Sequence, residues 1–187
     1  MGRDISRPNR LWRNGLSACN RLDKQTKIFF ERLGFMFIKI KASVGVIGIE
    51  EKNGAISRVY LPNQAPDMPE NTSELLEKAK TQFDEYFAGK RKIFDLPLDF
   101  SAFTDFTVRV YQELMRVKYG ETATYKSIAE RINSPKAYRA VGLANNKNPL
   151  PIIVPCHRII GSNGSLVGYA GGLELKERLL ELERRAK

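Results

Sequence analysis

The run FMFIKIKASVGVIGIEEKNGAISRVYL, Phe35 to Leu61, constrains the fold more than any other stretch of the chain. FMFIKIKA alternates apolar and polar residues, VGVIGIE continues it, and Lys52-Asn53-Gly54 separates these from a third segment, AISRVYL. Asn-Gly accepts the positive φ angles of a tight hairpin turn, and alternation with period two gives a strand one apolar face. An antiparallel sheet is therefore predicted, with one face in need of cover. NTSELLEKAKTQFDEYFAGK follows, with Leu75, Leu76, Ala79 and Phe83 on one helical face. Asn71 and Glu74 have the spacing of a capping box, and Gly89 ends the helix. KRKIFDLPLDFSAF, with Pro97 inside it, reads as a linker.

The remainder changes character. TDFTVRVYQELMRV places Phe106, Val110, Leu114 and Val117 on one helical stripe that Gly120 breaks. Thr124 can cap a short helix, YKSIAERI, and NSP makes a turn. Ser134 as N-cap and Pro135 as first helical residue then start PKAYRAVGLANN. Two short helices joined by about three residues have a helix-turn-helix outline. After PLPIIVPCHRIIG and a turn at SNG comes LVGYAGG, and LELKERLLELERR closes the chain as an amphipathic helix. Three regions result: a basic extension over 1–34, loosely helical at most, an α/β domain with linker over 35–102, and a mostly helical domain over 103–187. Met36, just inside the first strand, is an alternative start for the chain.

Composition narrows the chemistry. A chain of 187 residues can bury a sizeable core as one large or two small domains. Two cysteines, Cys19 and Cys156, make no disulfide framework, which points to a reducing, cytoplasmic compartment. With one histidine they also make no ordinary Cys/His zinc site, so neither metal nor cofactor is expected. No apolar run approaches the roughly 20 residues of a membrane span. The net charge is +10, and it is uneven: residues 1–34 carry eight Lys/Arg against three Asp/Glu, and residues 103–187 carry fourteen against eight. Nucleic acid is the commonest anionic partner for such a distribution.

Cys156 and His157 stand side by side at the end of an apolar run. A buried cysteine is most often an inert small apolar side chain. A reactive one must form a thiolate, which needs a base or a positive neighbour, and His157 and Arg158 follow it directly. Adjacent side chains of an extended strand point to opposite faces, so the pair works only if the chain turns there or a water lies between. A carboxylate that orients the imidazole would complete the set, and Glu177 on the final helix is the candidate.

PCHR within NPLPIIVPCHRIIGSNGSLVGYAGGLELKERLL, together with GETATYKSIAERINSPKAYRAVGLANNKNP upstream, resembles the O6-alkylguanine-DNA alkyltransferase family over residues 103–187. The resemblance implies an α+β fold, with a ribonuclease-H-like antiparallel sheet and helix first and a winged-helix-like domain carrying the helix-turn-helix second. It implies repair of double-stranded DNA by a monomer, through irreversible transfer of the alkyl group from O6 of guanine to Cys156. O4-alkylthymine is a second candidate substrate. His157 would deprotonate Cys156 through a water, with Glu177 holding the imidazole and Asn148 bracing the turn. Tyr125 would donate to the departing guanine and press on the phosphate, and Arg139 would fill the space of the flipped nucleotide. Tyr169 would stack on guanine, the backbone of Ala170 would meet O6, and the Ile159 carbonyl would accept from the exocyclic amine. Ser134, Lys136, Gly142 and Ala144 would approach the minor groove, with location in the cytoplasm or at the nucleoid. A non-catalytic binder of alkylated DNA is the main alternative; such relatives lack the cysteine. A cysteine hydrolase or a transcription factor would leave Tyr125, Arg139 and Asn148, or the Cys–His pair, unexplained.

Overall fold

The computed structural model describes residues 34–186 apart from Asn63, Asp67 and Pro69; the extension over 1–33, with Cys19, lies outside the described residues. Strands β1 (Phe35–Ala42), β2 (Gly45–Lys52) and β3 (Ala55–Tyr60) form one antiparallel sheet in that order. Asn53 and Gly54 take φ of 51° and 78°, the left-handed pair a two-residue hairpin needs. That turn sets β2 against β3 up to an irregularity at Glu50–Glu51, and the turn at Ser43-Val44 sets β1 against β2; Ile38, Ile40, Ile47, Ile49, Ile56 and Val59 are all buried.

Helix α1 (Glu74–Phe87) covers this sheet with Leu76, Ala79, Phe83 and Tyr86. Its cap is Ser73, whose Oγ accepts from the Leu76 amide at 3.0 Å, rather than Asn71. Asn71 is used by the sheet instead. Its Oδ1 accepts from the Phe37 amide and its own amide donates to the Phe37 carbonyl, which extends the edge of β1. At the other end Gly89, φ 72°, allows Lys90 to bond back to Glu85 and Gly89 to Tyr86, a Schellman close. The predicted linker is tied down. The Gln82 amide bonds both backbone groups of Asp95, and Leu98 pairs with Ile56 along the free edge of β3.

Helix α2 (Asp105–Met115) is capped by Thr104 and buries Val110, Tyr111 and Leu114. It stops at Met115, short of Gly120, where Arg116 and Val117 tighten into three-residue turns. Strand β4 (Ala123–Thr124) pairs in parallel with β5 (Ile159–Ile160). Helix α3 (Tyr125–Arg131) begins with a reciprocal cap between Thr124 and Ser127. Asn133 in the left-handed region closes it, and a 3-10 turn (Pro135–Ala137) leads into α4 (Tyr138–Asn146). The side chain of Ser134 makes no capping bond, contrary to expectation, because Pro135 opens the 3-10 turn and α4 starts three residues later. Helix α5 (Leu173–Arg185) returns across the structure. One core runs from the sheet, through α1, to α2, α3, α4 and α5, so the two halves are packed on each other rather than merely linked.

Candidate active site

The segment from Asn148 to Ile160 threads through this core, and every residue from Leu150 to Ile159 is buried. Asn148 braces it from inside: its Nδ2 donates to the Val154 carbonyl at 2.8 Å and its Oδ1 accepts from the Leu150 amide at 3.0 Å. Ile152 sits at φ 76°, an unfavourable conformation for a β-branched residue that the surrounding packing must impose. The Val59 amide of β3 donates to the Pro149 carbonyl and anchors the start of the loop to the sheet. Pro155 then opens a 3-10 turn, Cys156–Arg158, that carries both reactive candidates. At three residues per turn adjacent side chains diverge, so Cys156 and His157 are not aimed at each other.

Glu183, on α5, is the hub of the site. Its Oε1 accepts from His157 Nε2 at 2.8 Å, from the Tyr86 hydroxyl at 2.7 Å and from Arg158 Nη2 at 2.9 Å. Its Oε2 accepts from Arg158 Nε at 2.9 Å and from the Gly120 amide at 3.0 Å. Burial alone would raise the pKa of this carboxyl. The bonds and charges of His157 and Arg158 reverse that and hold it well below the usual carboxylate range. A carboxylate can only accept, so Nε2 carries the imidazole proton and Nδ1 keeps its lone pair. Nδ1 is buried and has no partner among the described residues. Burial, opposed by Glu183, lowers the histidine below its ordinary 6.5, which makes His157 a neutral base at neutral pH.

The expectation for Glu177 is therefore corrected. Glu177 is exposed, whereas Glu183 lies six residues further along the same helix on its buried side. Helical periodicity carries the signal: Leu175, Leu179 and Glu183 recur every four residues along one stripe, and Glu177 falls off it. Lys176 was also not anticipated. Its side chain is fully buried, and Nζ donates to the carbonyls of Ile159 at 2.6 Å and Val167 at 2.8 Å. A lysine on an apolar stripe is a costly choice, repaid here by two carbonyl partners that tie α5 to the loop before it. Arg158 and Tyr86 complete the buried network.

Cys156 is only 3% exposed, and burial pushes its thiol up to about 11, against the opposing influence of Asn148, Lys176 and the backbone amides. The resting group is thus a thiol rather than a thiolate. Ionisation has to accompany reaction.

The remaining expected residues divide between the site and an outer face. Tyr125, half-buried at the first turn of α3, donates from its hydroxyl to the Val167 carbonyl at 3.4 Å. Its ring lies about one van der Waals contact from Gly142, where a Cβ would sit 3.8 Å away. Tyr169 is buried, and its hydroxyl has no partner among the described residues, so its ring is packed inside the loop rather than presented as an open stacking face. The Ala170 carbonyl accepts from Gln64 Nε2 at 3.0 Å, across 106 positions of sequence. The Ile159 carbonyl already accepts from Lys176 and retains one lone pair. Arg139 and Lys136 are exposed, with the Arg139 guanidinium over the Tyr138 ring, and Ser134 is half-buried. Ala144 is not on this face. It is buried, and its carbonyl accepts from the Tyr111 hydroxyl, because α4 turns that side toward α2.

A buried cysteine, a neutral histidine and a fixed carboxylate, carried beside a helix-turn-helix, define a class of protein: a nucleophile mounted on a nucleic-acid-binding scaffold. Known proteins make the class specific. Residues 105–185 match the family described as 6-O-methylguanine DNA methyltransferase, DNA binding domain, and residues 49–100 match its ribonuclease-like domain. A methylated-DNA–protein-cysteine methyltransferase of Methanosarcina barkeri is 55% identical over 126 residues, covering 67% of this chain and 77% of the relative. The constitutive enzyme of that name from Bacillus subtilis is 45% identical over 150 residues, covering 75% and 90%. The crystal structure of Mycobacterium tuberculosis O6-methylguanine methyltransferase superposes with a TM-score of 0.74 at 37% identity, covering 82% of this chain and 94% of that one. A structure of the M. tuberculosis protein OGT in complex with DNA gives 0.73 at 39% identity, covering 81% and 94%. The chain belongs to the methylated-DNA–protein-cysteine methyltransferase family.

Proposed function

We propose that this protein repairs double-stranded DNA by direct reversal, moving an alkyl group from O6 of guanine to Sγ of Cys156. The observation that carries this is the His157–Glu183 pair, which leaves a buried Nδ1 lone pair beside the turn that bears the thiol. The thiol proton passes to Nδ1 through a bridging water, and Glu183 stabilises the imidazolium that forms. Sulfur attacks the alkyl carbon, the carbon–O6 bond breaks, and its electron pair leaves on guanine, which takes a proton from the Tyr125 hydroxyl; the proton held by His157 then restores the phenol by way of solvent. The product is a thioether, whose thiolate is a poor leaving group, so each molecule acts once.

The substrate base has to leave the stack to reach a thiol this deeply placed. Exposed Lys136 and Arg139 on the helix-turn-helix support contact with the DNA, with Arg139 filling the gap in the minor groove and the protein acting as a monomer. Among the described residues no helix is long and apolar enough to cross a membrane. We place the protein in the cytoplasm or at the nucleoid. Intact-mass spectrometry after reaction with a duplex containing one O6-methylguanine tests the reading. One added methyl on Cys156, stoichiometric with protein and absent from Cys156→Ala, is expected; an unmodified protein that still binds the lesion would point to damage recognition without transfer.

A further inference from the structure

We propose that Tyr86, on the helix that covers the sheet, is a positioning residue for the alkyl-transfer site and acts through its hydrogen bond to Glu183. The inference rests on the reading above. Tyr86 and Glu183 are 97 positions apart, yet the hydroxyl lies 2.7 Å from Oε1, the same oxygen that accepts from His157. Both side chains are fully buried, so no solvent competes for that oxygen. The ring is held by Phe87, Phe94 and Tyr119 at centroid distances of 5.2, 5.5 and 5.9 Å, which fixes the direction of the hydroxyl. Packing would require the ring alone. A tyrosine in this place adds a donor aimed at the carboxylate that orients the base.

The consequence is electrostatic. Each donor on Oε1 spreads the carboxylate charge and weakens its hold on the imidazole proton. Tyr86 therefore keeps His157 neutral while Glu183 keeps it oriented. The other groups around the imidazole are Arg158 and Cys156 on its own turn, Lys176 seven residues before Glu183 on α5, and Tyr119 after α2, whose ring lies 5.7 Å from the Arg158 guanidinium. The half of the chain that lacks Cys156 thus sets the state of the base that serves it. Gln64, bonded to the Ala170 carbonyl, is a second contact from that half to the far wall of the site.

His157 is the single histidine of the chain, so its titration can be followed by NMR without assignment ambiguity. In full-length Tyr86→Phe, the imidazole midpoint is expected to rise, and the acid limb of the alkyl-transfer profile to move up with it. Transfer at neutral pH should slow in proportion to the fraction of imidazole that the shift protonates there. Affinity for the lesion duplex should be unchanged. Tyr119→Phe removes a neighbouring buried hydroxyl with no partner among the described residues and should move neither reading. Should Tyr86→Phe fail to fold, 3-fluorotyrosine placed at position 86, a stronger donor, should lower the midpoint instead. A lower melting temperature with an unshifted imidazole would reduce Tyr86 to a packing residue and overturn the proposal. Wild-type protein that titrates normally but transfers no alkyl group would overturn the proposed function instead, leaving the effect of Tyr86 on the imidazole readable on its own.

Discussion

Glu183 gathers five donors from four residues in three parts of the chain, and its reach decides how the site responds to pH. The thiol titrates near 11 and the imidazole below 6.5. If His157 removes the proton during attack, the single-turnover rate should be flat between those values and fall on the acid side. A tenfold rise per pH unit through the neutral range would mean that solvent supplies the thiolate and His157 does not. Stability follows the same groups. The folded imidazole resists protonation, so as pH falls from 6.5 toward its lowered value the unfolded chain binds the extra proton and stability declines. Chemical denaturation of wild type and His157→Gln across that window measures this contribution. At this scale the sequence yields Cys156 and His157 because they adjoin in the chain, and Asn148 only through the family resemblance. Glu183 was legible only through the period of α5, where the stripe of Leu175 and Leu179 points to it and away from Glu177. Tyr86 was not legible, since a bond across 97 positions leaves no local trace.

Among the elements, caps separate stability from function. Ser73→Ala removes the acceptor of the Leu76 amide and should cost about 1 kcal/mol, while alkyl transfer below the melting point is unaffected. Thr124→Ala removes a comparable cap from α3, but Tyr125 is the next residue, so it should lower stability by about as much and slow transfer as well. Urea denaturation alongside single-turnover assays distinguishes the two. Strand, hairpin and helix assignments were readable because alternation, Asn53-Gly54 and Gly89 are local signals. The misplaced caps share one cause: Asn71 and Ser134 have side chains suited to capping, but a neighbouring strand takes the first and a proline-led 3-10 turn pre-empts the second.

Across the whole molecule, the reacting group faces inward while the charge faces outward. Lys136 and Arg139 are exposed on the helix-turn-helix, and Cys156 is buried within the core that both halves share. Arg139→Ala should therefore slow repair of the duplex strongly and leave reaction with a free O6-benzylguanine base almost unchanged, since only the duplex must be opened. Equal losses on both substrates would place Arg139 in the chemistry rather than in the handling of DNA. The two-part architecture was legible from composition and periodicity. The contacts that make it one working unit, Tyr86 to Glu183, Gln64 to Ala170 and Val59 to Pro149, arise only from tertiary packing.

A thiol that is protonated at neutral pH and almost sealed from solvent is also a poor target for peroxide, which attacks exposed thiolates. In the transfer proposed above Cys156 reacts once, and its burial would then act as preservation, keeping the reagent of an idle molecule from oxidation until a damaged base is delivered to it.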